Sequence, residues 1–195
     1  LMFYINITCG LALIAQEKAM LAYVGFAAIG LVSSLTAMFN AGGRLFYSAW
    51  ADKLKDRNTI YKVVFISTMI AIVAVLAFDA LEAGIPLLII ALLCVINAGY
   101  GGGFSNLPTL LADRYGLNSI STIHGLMLSA WAFAGLSGNQ LSAFILTRTG
   151  SYEVLLYVLL GLFAIATVIS MFVVKPGLVE IPDVASKETK KVAVN

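Results

Sequence analysis

Apolar residues fall in long blocks separated by short polar stretches. Six blocks can be marked: Leu1–Ala15, Ala22–Tyr47, Ile60–Phe78, Ile85–Leu111, Ile120–Leu146 and Val154–Val174. Runs such as Val63–Ala77 and Leu87–Ile96 carry no charge. Such runs do not fit barrel strands, which alternate apolar and polar residues over about ten positions. Helices satisfy their own backbone groups in hydrocarbon, so they are the form these blocks predict. Each of the last five blocks is near or above the roughly 20 residues a spanning helix needs. The block Leu1–Ala15 covers only about 22 Å at 1.5 Å per residue, less than the roughly 30 Å hydrocarbon core. It has no basic n-region before it, so it does not read as a cleavable signal peptide. It reads as a helix cut at its start. The expectation is an all-α integral membrane bundle of six transmembrane helices over residues 1–174, the first truncated. Residues 175–195, with Pro176, Pro182 and the polar run Ser186–Lys191, read as a flexible tail.

Composition agrees with the pattern. Hydrophobic residues make up 61% of the chain and charged residues 11%, against about a quarter charged in soluble domains. The net charge of +2 gives no footprint for nucleic acid. Position matters more than sum. If the tail and the loops near residues 51–59 and 112–119 face the cytoplasm, Arg44, Lys53, Lys55, Arg57, Lys62, Arg114, Lys175, Lys187, Lys190 and Lys191 lie on or near that side. Those are ten of the 12 Lys and Arg, leaving only Lys18 and Arg148 outside. This positive-inside bias predicts a cytoplasmic C-terminus, and the expected location is the plasma (inner) membrane. Cys9 and Cys94 sit inside apolar blocks and read as small buried hydrophobes. With one His and two such Cys, no metal motif can be assembled, and no cofactor fingerprint is present. No catalytic constellation is visible either. The acids Asp52, Asp56, Asp79, Glu82 and Asp113 fall at block ends or in loops, and Glu17 and Lys18 in a loop spanning residues 16–21.

Polar side chains inside apolar blocks are costly in a bilayer and mark candidate chemistry. Ser33, Thr36, Asn40 and Arg44 recur at three- or four-residue steps, which places them on one helical face. Arg44 can either snorkel to the interface or hold a carboxylate bidentately in a cavity. His124, Leu128, Trp131, Gly135 and Asn139 share a face of the fifth block. His124 is either a packing residue or a substrate or proton ligand. Trp131 is either core or a cavity-lining N–H donor. Asn97, Tyr100 and Ser105 of the fourth block, and Asn6 of the first, are further cavity candidates. The glycines Gly99, Gly101, Gly102 and Gly103, and Gly125, Gly135 and Gly138, suit close helix packing or bending during transport.

Four stretches in order carry a family resemblance. Asn40–Thr59, NAGGRLFYSAWADKLKDRNT, resembles the loop motif of the major facilitator superfamily. More narrowly it resembles the oxalate/formate antiporter family, which reads close to N-x-x-G-R-x-x-x-x-x-x-S-D-K-x-G-R-K-N-T there. Gly101–Tyr115, GGGFSNLPTLLADRY, His124–Gly138, HGLMLSAWAFAGLSG, and the opening YINITCGLALIAQ resemble the same family. The resemblance implies the C-terminal six-helix half of a twelve-helix secondary transporter, beginning within its seventh helix and completed by a missing N-terminal half. It implies a cytoplasmic charge network of Asp52, Lys53 and Arg57, and Arg44 as ligand of a substrate carboxylate. Ser48 and Lys55 stand where the motif has glycines, and Asp56 where it has an arginine. The family's oxalate carrier places a lysine on the helix matching the fifth block, where none stands here. One cation favours a monocarboxylate such as pyruvate, lactate or formate, since a second buried negative charge would go unpaired. His124 keeps oxalate open, and protons are a possible partner. The implied function is alternating-access transport of small carboxylates, by exchange or symport. The rival is a half that packs in the membrane without transporting.

Overall fold

The computed structural model describes residues 1–117 and 120–174, and the tail expected over residues 175–195 lies outside them. Seven helices are present among the described residues: α1 (Met2–Ile14), α2 (Glu17–Tyr23), α3 (Ile29–Ala51), α4 (Asn58–Ala77), α5 (Pro86–Tyr115), α6 (Ile120–Thr149) and α7 (Tyr152–Val168). A π-helical turn, Ile169–Val173, continues α7. Helices α4, α5, α6 and α7 with its π turn are long and apolar enough to cross a bilayer. Helix α3 is 23 residues long but carries the polar stripe.

Two expected boundaries are corrected. Residues 16–21, expected as a loop, are mostly helical. Gln16 donates its N–H to the Leu13 carbonyl in a single tight turn, and the chain resumes helix at Glu17. The reason is burial: Met20 and Leu21 are fully enclosed, which a solvated loop would forgo. The block expected to start a helix at Ala22 does so only at Ile29. Gly25, at φ +70°, ends α2 in a Schellman motif, with Phe26 N–H on the Leu21 carbonyl and Gly25 N–H on that of Ala22. The left-handed residue turns the chain before α3 can begin.

Helix α5 is the central element, packed against α3, α4 and α1. Its approach to α3 is set by glycines on both partners. A Cβ on Gly43 would strike the Ala98 backbone, and one on Gly101 would strike the Asn40 backbone. For these two the packing role is met. Helix α1 lies between α5 and α6, and α7 covers α4. The Tyr61, Phe65 and Phe163 rings form a tilted column between α4 and α7, with neighbouring centroids 5.9 Å apart. Tyr61 Oη donates to the Gly103 carbonyl at 2.6 Å, which satisfies the one polar atom of that column. Asn58, fully buried, donates to the Ser170 carbonyl at 2.7 Å and accepts from Ser170 Oγ at 3.1 Å, tying the π turn to α4.

Helix α6 touches the bundle through Ala134, Gly138, Ser142 and Ile145, one face at near-fourfold spacing. Its remaining surface, with Phe133, Leu136 and Phe144, is exposed, as are Leu31, Met38 and Leu45 of α3. Exposed apolar faces of this extent are what a bundle solvated by lipid carries.

The seam makes a contrast measurable. Gly43→Ala forces α3 and α5 apart and is expected to cost about 1–3 kcal/mol of stability. Gly42→Ala, with open space around its Cβ position, is expected to be neutral or to stabilise by about 0.5–1 kcal/mol through helix propensity. Thermal unfolding of the two variants in detergent checks this; equal melting temperatures would refute the seam.

Candidate functional site

The polar stripe of α3 and the start of α2 enclose a hollow of about 800 Å³, lined by Ile14, Glu17, Lys18, Ser33, Thr36, Asn40, Arg44 and Asn97 among others. The α3 residues reach it because three- and four-residue steps keep them on one face, and the glycine seam brings that face to α5. Arg44 makes little use of its donors. Its Nε lies 3.4 Å from Asn40 Oδ1, a long contact. No carboxylate lies within ion-pair distance of Arg44 among the described residues. Its guanidinium sits over the Phe104 ring, 5.2 Å from the centroid, a cation–π arrangement that steadies the charge without using its hydrogen-bond fork. Phe104 meets Trp131 edge to face at 5.9 Å. Trp131 Nε1 donates to Tyr100 Oη at 3.1 Å. Thus α3, α5 and α6 bring Asn40, Arg44, Tyr100, Phe104 and Trp131 into one connected group.

Asn97 is buried on the hollow's wall, with Nδ2 donating to the Leu93 carbonyl at 3.0 Å. Ser33 Oγ is buried without a hydrogen-bond partner, and it lines the same hollow. His124 is not brought to the hollow. It lies seven residues from Trp131 on α6, about 10 Å along the axis, and its Nδ1 is buried without a partner.

A second cluster sits where α3 ends and α4 begins. Arg57 bridges two carboxylates: Nη1 is 2.6 Å from Asp52 Oδ1 and Nε is 2.8 Å from Asp113 Oδ2. The Asp52 hydrogen bond first, then the Asp113 and Asp52 charges, push the Arg57 guanidinium above its usual range, so it stays charged at any working pH. Arg114 reaches Asp56 at 3.4 Å. Asn106 Nδ2 donates to the Arg57 carbonyl at 3.0 Å, so α5 is pinned to the α3–α4 turn by backbone as well as charge. Lys53 makes no ion pair among the described residues and borders a small groove with Phe46, Ala49 and Trp50. Ser48 Oγ donates to Ser105 Oγ at 2.9 Å, and Ser105 Oγ donates to the Arg44 carbonyl at 3.2 Å, so α3 and α5 stay bridged where the motif has glycine.

The sequence model of the Major Facilitator Superfamily matches residues 1–194. The chain belongs to that superfamily. Its members are membrane transporters of small molecules. Comparison with curated proteins returns no significant match, and comparison with solved structures returns none.

In a facilitator, every polar group held away from water calls for an account. Sequence reading missed three residues that bear on the candidate site. Glu17 is only 6% exposed and accepts a hydrogen bond from Thr36 Oγ1 at 2.9 Å. Lys18, beside it, adds a second cation to a hollow for which sequence suggested one. Phe104 carries Arg44. A charged pair between the apolar neighbours Ile14–Ala15 and Ala19–Leu21 was the available signal for the first two. Phe104 had none, being one apolar residue among many.

Asp52 and Asp113 are largely exposed, so each pair with Arg57 is worth about 0–1 kcal/mol. A double-mutant cycle of Arg57→Ala and Asp113→Asn is expected to return about 0.5–1 kcal/mol of coupling, read from thermal unfolding and weakening with salt. Zero coupling at low salt would show the contact to be idle.

Proposed function

We propose that this facilitator is a secondary transporter of small carboxylates working by alternating access, with Arg44 as the anion anchor. The observation that supports it is a guanidinium steadied by Phe104 at the edge of a polar hollow, with no carboxylate in ion-pair reach among the described residues. A planar fork with free donors matches a carboxylate bidentately. Asn40, Asn97, Tyr100 and Trp131 are its proposed companions, supplying neutral polar contacts that orient a small anion. The oxalate/formate antiporter resemblance points to the same class. Lys18 at the hollow favours keeping a dianion such as oxalate beside pyruvate, lactate and formate in any substrate panel.

In this reading the hollow is one wall of a site completed by an N-terminal half of six further helices. The Asp52, Arg57 and Asp113 cluster, with Lys53 at its border, lies on the cytoplasmic side of the plasma membrane, as does the C-terminus. The cluster acts as a latch, because rocking α5 against the α3–α4 turn breaks its ion pairs one by one. Exchange and proton symport both fit this frame.

The test is uptake of labelled pyruvate, lactate, formate and oxalate by the full-length carrier in vesicles. Arg44→Ala is expected to lower uptake of the transported acid by about 10–100-fold, the cost of losing a charge-assisted hydrogen-bonded contact. Arg44→Lys keeps the charge but loses the fork and is expected to fall between the two. Unchanged uptake by Arg44→Ala would remove Arg44 from the site.

A further inference from the structure

Asn58 is fully buried at the start of α4, and Ser170 is fully buried in the π turn that continues α7. Their contact explains why that turn is π-helical. In an α-helix the Val174 N–H would bond the carbonyl four residues back, that of Ser170. Here it bonds the Ile169 carbonyl, five residues back, at 3.1 Å. The Ser170 carbonyl takes Asn58 Nδ2 instead, at 2.7 Å. A side-chain amide has displaced a backbone donor. The rest of Asn58 is used as well: Oδ1 accepts from Ser170 Oγ at 3.1 Å, and Nδ2 reaches the Val174 carbonyl at 3.4 Å. The turn itself, ISMFV, holds no proline or glycine that would force it out of α-helix. Its cause lies on α4.

We infer that this turn is a two-state element: Asn58 holds it in the π form while the charge cluster at the α3–α4 turn is closed, and it returns to α-helix when the cluster opens; this rests on the latch reading above. Single π turns of this kind concentrate at functional sites. The two states use the same groups. With Asn58 in place, Ser170 O is served by the amide and Val174 N–H by Ile169 O. With Asn58 withdrawn, Val174 N–H moves one carbonyl along, to Ser170 O. Neither state leaves the buried Ser170 carbonyl unpaired, which would be costly. Returning to α-helix moves the end of the turn by one residue's place, about 100° around the axis and 1.5 Å along it.

The cluster sets where Asn58 sits. Asn58 follows Arg57 directly, and its own N–H donates to Asp56 Oδ1 at 3.0 Å. Asp56 is paired with Arg114, the Arg57 guanidinium with Asp113 and Asp52, and the Arg57 carbonyl with Asn106. The first turn of α4 is therefore held from α5 through three side chains. If rocking breaks these contacts, the first turn of α4 is free to shift. A shift of about 1 Å stretches the Asn58–Ser170 contact to about 3.7 Å, past the range of a hydrogen bond. The carbonyl then passes to Val174. The direction in which the chain leaves the bundle at Val174 thus follows the state of the cluster. By reciprocity, anything that fixes that direction favours one state of the cluster.

The experiment measures distances between spin labels in the full-length carrier, with its native cysteines replaced. One pair, Phe78→Cys with Val173→Cys, joins the exposed end of α4 to the end of the π turn. A control pair, Phe78→Cys with Ile165→Cys, stops before the turn; all three positions are exposed. Asn58→Ala is expected to move the first distance by several ångströms, up to about 8 Å for a 100° rotation at the outer radius of a helix. The control distance is expected to stay within about 2 Å. An unmoved first distance overturns the inference. Ser170→Ala keeps the carbonyl and is expected to keep the native distance; a full shift there overturns the carbonyl exchange. Asp52→Asn with Asp113→Asn opens the cluster at its exposed end, and is expected to add a second distance matching that of Asn58→Ala. This variant also decides the matter if Asn58→Ala does not fold. A single native distance in it overturns the inference and, where the Arg57–Asp113 cycle shows coupling, leaves the latch standing. Zero coupling in that cycle overturns the latch and the inference with it.

Discussion

The contact between the backbones of α3 and α5 sets the positions on which the candidate chemistry depends. Gly43 lies against Ala98 and Gly101 against Asn40 without room for a methyl group. In lipid there is no hydrophobic gain from bringing two helices together, so association relies on dispersion and polar contacts at short range. Small residues permit that range. Once the two backbones meet there, Arg44 lies over Phe104, and Ser105 can donate to the Arg44 carbonyl. Any spacer between the helices would separate the guanidinium from its aromatic support.

The same seam also separates two electrostatic regimes. At the α3–α4 end, Asp52 and Asp113 are largely exposed, and their pairs with Arg57 contribute little. Arg44, Glu17 and Lys18 all line the hollow. Glu17 is buried there, where an unpaired charge is expensive.

Much of this was legible in the sequence. The blocks Ile60–Phe78, Ile85–Leu111, Ile120–Leu146 and Val154–Val174 coincide closely with α4, α5, α6 and α7, because runs this long and apolar have few alternatives to a membrane helix. The stripe Ser33, Thr36, Asn40 and Arg44 was legible because spacing along one helix defines a face. The α2 boundary was not. A Glu and a Lys in sequence resemble a solvated loop, and only the burial of Met20 and Leu21 against other helices makes the segment fold as it does. The Gly25 turn that delays α3 was equally hidden, since a glycine inside an apolar block is compatible with continuous helix.

What the sequence determined by itself is the place and order of the long apolar helices α4 to α7 and the polar face of α3, since both follow from properties of a single segment: its length, its hydropathy and its 3.6-residue repeat. The tertiary structure decided which faces meet. It set Phe104 beneath Arg44, joined Trp131 to Tyr100, left His124 away from the hollow and enclosed Glu17 beside Thr36. These are contacts between segments far apart in the chain. No local pattern encodes them, because they depend on how closely two backbones can approach and on which charges are left without water once they have done so.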